Sequence, residues 1–174
     1  QEVALALLRH GVRPLALDIL SRGAARRTMA RAGVPPQPRS ERGTAHGAGD
    51  GPVLLAARFG GTALAVERME REMARLRRAA GQAGRGLLDM LRDEAHRRFW
   101  QAVADYGRWD ARPPALVLAA SLLPSQIPAF MDAVDAEGGA GGLGGEAIAR
   151  AGGGVVRTFW RAADALAADA PALA

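Results

Sequence analysis

Few residues in this 174-residue chain can do chemistry unaided. Cysteine is absent, which removes disulfides, thiolate nucleophiles, iron–sulfur clusters and cysteine zinc sites together. The histidines are His10, His46 and His96, and none has a second histidine or a carboxylate at metal-ligand spacing that would make a convincing site, so no metal site is expected. There is no G-x-S-x-G, and Ser21, Ser40, Ser121 and Ser125 fall where caps and turns are expected. Asp89, Asp93 and Glu94 crowd near Arg92, Arg97 and Arg98, but acids followed by bases is the ordinary charge order of a helix start. No catalytic residue can be assigned. Arg58 and Arg157 stand apart, because each sits in an apolar strand-like run, where a charge needs a carboxylate partner or an anionic ligand. These two arginines are the candidate binding residues.

Two glycine-rich stretches invite a phosphate-binding reading. Gly139, Gly141 and Gly144 satisfy G-x-G-x-x-G, yet a helix precedes them and a strand follows, the reverse of the dinucleotide fingerprint, so Gly138 to Gly145 reads as a flexible link. Gly60-Gly61 does lie between a strand and a helix, but no Lys-Ser/Thr follows, and a plain turn is favoured. Phe99, Trp100, Tyr106 and Trp109 make up half of the aromatic complement and read as a core patch or domain interface.

The elements that must position these residues follow from apolar period and punctuation. Glu2 to His10 has helical spacing and stops at Gly11. Pro14 to Leu20 (PLALDIL) reads as a buried strand, and Ser21 can cap a helix ending at Gly33. Val34 to Gly51, rich in proline and glycine, reads as a mobile loop. Val53 to Phe59 is a second strand, followed by a helix capped by Thr62, on which Val66, Met69, Met73 and Leu76 share a face. A short strand is expected at Leu87 to Leu91, a helix at Asp93 to Tyr106, a strand at Ala115 to Ser121 and a helix from the Pro124–Pro128 turn to Glu137. Glu146 to Arg150 and Val155 to Trp160 flank a glycine turn as a hairpin, and Arg161 to Ala174 reads as a weak helical tail.

These strands and helices predict an α+β domain over residues 1–160 of ferredoxin-like type. That is a duplicated β-α-β antiparallel sheet with helices mainly on one face, followed by a tail over 161–174. A parallel Rossmann sheet is less favoured, because the last two strands form a hairpin and no phosphate-binding turn follows any strand. The net charge of +5 is carried by arginine alone, with lysine and asparagine missing, which reflects GC-rich codons more than nucleic-acid binding. No apolar run is long enough to span a bilayer and no signal-peptide pattern opens the chain, so a cytoplasmic location is expected. A first residue of Gln fits a piece of a longer protein.

The order HGVRPLALDIL, PVLLAARFGGTALAVERMEREMARL, FWQAVADY, ALVLAASLLPSQIPAFMDAV and EAIARAGGGVVRTFW resembles the C-terminal half of FAD-linked oxidases, most like the FAD-binding subunit of glycolate oxidase. The likeness covers nearly the whole chain, through loose and mainly apolar motifs. It implies a ferredoxin-like cap over an FAD held mainly by an N-terminal domain that this chain lacks. It also implies oxidation of a 2-hydroxy acid through flavin, other oxidase subunits as partners, an iron–sulfur subunit among them, and peripheral membrane association through those subunits. Arg58 and Arg157 would be flavin-side contacts. The histidine-rich, metal-associated motif of catalytic relatives and a terminal Asn-Pro-Gly segment are missing, which implies an accessory or electron-transfer role and no turnover by this piece alone. A freestanding ferredoxin-like effector-binding or interaction module is the alternative. An RNA-binding sheet is disfavoured for want of aromatics at alternating strand positions.

Overall fold

The computed structural model describes residues 14–35, 53–79, 90–109, 113–140 and 143–162. The expected N-terminal helix, most of the proline-rich loop and the tail beyond Ala162 lie outside the described residues. Among the described residues the strands are β1 (Ala16–Leu20), β2 (Leu54–Arg58), β3 (Leu116–Ser121), β4 (Leu143–Arg150) and β5 (Val155–Ala162). The described α-helices are α1 (Arg22–Ala32), α2 (Ala63–Ala79), α3 (Asp93–Ala104) and α4 (Ile127–Ala140). The strands form one antiparallel sheet in the order β2-β1-β4-β5-β3. This is the α+β, ferredoxin-like class expected from the sequence. β3, α4 and β4 make a split β-α-β unit with β5 between its two strands, while β1 and β2, joined through α1, are direct neighbours.

The helices cover both faces of the sheet, where the sequence suggested mainly one. Strand alternation puts Leu20, Ala56, Ile148 and Phe159 on one face, with Ala24, Ala25 and Ala32 of α1 and Phe99 of α3 packed on them. Ala147, Ala149 and Val156 point the other way, against Ile127, Met131 and Val134 of α4. Leu17, Leu55 and Ala57 share that second face and receive Met69 and Met73 of α2. The reason is visible in β1, where Leu17 and Ile19 alternate with Ala16 and Leu20. A strand apolar at both parities needs cover on both sides.

Four local expectations are corrected. Met90 and Leu91 belong to no strand, and the rest of that expected strand lies outside the described residues. The glycine stretch after Glu137 is no free link, since α4 continues to Ala140 and β4 already includes Gly144 and Gly145. A Cβ on Gly145 would lie 2.8 Å from both the Trp160 ring and the Val134 carbonyl oxygen, so glycine there is what lets α4 sit close on β4. β5 runs through Arg161 and Ala162, the first two positions of the expected helical tail. Ser21 occupies the N-cap position of α1 but makes no side-chain cap. Its Oγ instead accepts the Ala147 backbone N–H at 2.9 Å, tying β4 to the end of β1. Thr62 does cap as expected, accepting the Ala65 N–H at 3.3 Å.

Candidate functional site

Arg58 ends the edge strand β2 and Arg157 lies in β5, both exposed. The register Arg157–Ile148–Leu20–Leu54 puts them on the same face of the sheet, three strand spacings across and four residues along, roughly 20 Å apart. They therefore share a face without sharing a site. Among the described residues no carboxylate pairs with either one; exposure to water, in place of the expected salt bridge, solves the charge problem for each. Arg58 has His96 of α3 as an electrostatic neighbour, and burial together with the Arg58 charge lowers the His96 pKa. Arg157 stands beside Val155 and opposite Ala119 of β3, where the helix layer ends.

The buried charges of the same face lie elsewhere. At the centre of β1, Asp18 is buried, with Arg150 Nε 3.8 Å from its Oδ1. Burial raises the Asp18 pKa and the Arg150 charge opposes that rise. Elsewhere on that face, Glu146 of β4 and Arg161 of β5 are only 3% and 2% exposed, and Arg161 Nε donates to Glu146 Oε2 at 3.2 Å. Arg27 of α1 approaches the other carboxylate oxygen at 3.7 Å. The Tyr106 ring packs edge-on against Phe159, and its hydroxyl lies near Glu146 outside hydrogen-bonding geometry; burial first, then the Glu146 charge, pushes its pKa well above the ordinary phenol value. Trp109 covers the cluster, donating to the Ala102 carbonyl at 3.1 Å with the Arg27 and Arg31 guanidinium carbons 5.5 and 5.7 Å from its ring centroid. Phe99, Tyr106 and Trp109 are thus core and cation-stacking residues.

The sequence reading missed Asp18, Glu146 and Arg161. Asp18 carried a signal, since a carboxylate in PLALDIL presents the same problem as Arg58 in its strand. Glu146 and Arg161 carried a weaker one, because only the β4–β5 register brings them together. The Gly60-Gly61 turn is not a phosphate cradle. A Cβ at Gly60 would lie 2.7 Å from Leu15 Cδ1, so the space above the turn is filled by a side chain, and Gly61 supplies a φ of 135°. No group of three or more metal-ligating side chains occurs among the described residues. No described helix is long and apolar enough to cross a membrane.

The fold is an α+β sheet domain without an assembled catalytic constellation among its described residues. The chain matches no protein-family model and no curated protein.

Proposed function

We propose that this chain is the cap portion of an FAD-linked oxidoreductase that oxidises a 2-hydroxy acid, covering a flavin held by a separate N-terminal domain. The supporting observation is the half-covered sheet face. Around Arg157 the β5–β3 half presents Val155, Val117 and Ala119 to solvent, while α1 and α3 occupy the β1–β4 half. An exposed, largely apolar surface bearing one cation suits contact with a flavin ring and its negative charge on reduction. Arg157 fits that role; Arg58, at the far edge, does not reach the same surface. The Gly60-Gly61 turn, with its space filled by Leu15, leaves the phosphates to the flavin-holding domain. The flavin, when bound, would supply the hydride acceptor, and Arg157 would stabilise negative charge on it.

The test is to express the chain joined to whatever reading frame precedes Gln1. A yellow protein whose flavin spectrum or potential shifts on Arg157→Ala is the expected result, and a colourless full-length protein overturns the reading. The open β3 strand also favours a second reading, a freestanding interaction module with no flavin domain upstream. The same expression experiment separates the two.

A further inference from the structure

We infer that β3 is a self-association edge, pairing antiparallel with β3 of a second copy of this chain about a two-fold axis at Leu118. β3 closes one end of the sheet order, and no described residue pairs with its outer side. Leu116, Val117 and Leu118 are 49%, 51% and 49% exposed, and Ala115 to Leu123 carries no charge. An uncharged, apolar edge lacks the usual devices that prevent strand addition.

The strand's own sequence selects the occupant. In a continuous antiparallel sheet, opposed residues must point to the same face, which restricts the symmetric registers to those centred on a residue. Centring on Leu118 sets Leu116 against Ala120 of the other copy, Val117 against Ala119, and Leu118 against itself. Each large side chain then meets a small one except at the axis. Centring on Val117 would set Leu116 against Leu118, and centring on Ala119 would leave Leu116 outside the ladder. Charge also permits the pairing. Arg157, one strand in from the edge, would lie three strand spacings across and two residues along from its symmetry mate, roughly 16 Å away and beyond the screening length at physiological salt. A single six-residue edge pairing covers less surface than a standard protein–protein interface, which suits a weak, concentration-dependent dimer. The inference does not depend on the flavin reading, because the outer hydrogen-bonding edge of β3 is distinct from the face bearing Arg157.

Sedimentation equilibrium of the whole chain over a concentration series tests it. A mass rising from 18.2 kDa towards twice that value is expected, and a monomer at every concentration up to the millimolar range overturns the proposal. Leu118→Arg, checked for folding by circular dichroism, should weaken association at least tenfold; a dimer indifferent to it means another surface is used. Because the chain has no cysteine, Leu118→Cys should form a disulfide-linked dimer under mild oxidation, its two copies lying directly opposite. Ala119→Cys, roughly 8 Å from its mate in this register, should not. Cross-linking at residue 119 in place of 118 overturns the proposal.

Discussion

The two edges of the sheet are finished differently. β2 is half-buried along most of its length: Leu54 packs towards the α1–α3 layer, Leu55 and Ala57 pack with Met69 and Met73 of α2, and the strand ends in a charge at Arg58. β3 is exposed at five of its six positions and ends in Ser121. The cause lies in where the following helix goes. α2 follows β2 and turns its methionines back over that end of the sheet, whereas α4 follows β3 and crosses to β4. Gly145 removes the side chain that would hold α4 away from β4, so close packing at the sheet centre leaves β3 bare. An edge is protected by the path of its neighbouring helix, and its own composition records the result only in part.

The contrast can be broken first at the structure both edges share. Glu146→Ala leaves the Arg161 guanidinium buried without its carboxylate and should cost about 3–5 kcal/mol, lowering the melting temperature of the whole domain. If calorimetry shows one half surviving this change, the two edges belong to separate folding units. Next, Leu55→Ala in β2 should cost about 2 kcal/mol in urea denaturation, while Leu118→Ala in β3, at concentrations too low for association, should cost less than about 1 kcal/mol. Equal costs would mean that β3 is covered after all.

The charged positions give smaller effects. Asp18 has a raised pKa in the fold, so between the ordinary carboxylate value and the raised one the native state holds more protons than the unfolded chain. Its contribution therefore falls as pH rises through that window and is flat above it. Asp18→Asn should flatten the acid side of the stability–pH profile; an unchanged profile would show that Asp18 titrates normally. Finally, Arg58→Ala removes one of the two causes that lower the His96 pKa. The imidazole should titrate at higher pH by NMR, with little change in stability. No movement would place Arg58 away from α3.

Most strands were legible because apolar runs bounded by glycine and proline have few other readings. PLALDIL, VLLAARF and ALVLAAS each became a strand, and the Ala151 to Gly154 turn made the hairpin between β4 and β5. Their order was not legible. Nothing local in Ala16–Leu20 says that β4 is its neighbour, since that pairing is fixed by long-range packing and by the Ser21 to Ala147 hydrogen bond. The Glu146–Arg161 pair was hidden for the same reason, whereas Arg58 and Arg157 caught attention by interrupting apolar runs and proved to point at water. Asp18 interrupts such a run on the same face and is buried, so the composition of a run does not reveal which part of a face the helices cover.

The bond from Ala147 to Ser21 joins residues 126 positions apart, at the middle of the sheet. A chain emerging from the ribosome would complete β1 and β2 long before β4 exists to flank them, and two strands alone are marginal in water. Closure of the sheet must wait for the last strands, against the entropy of a loop that spans most of the domain. Refolding should accordingly be slow for a domain of this size, and if that bond forms only after the barrier, Ser21→Ala should speed unfolding while leaving the refolding rate nearly unchanged.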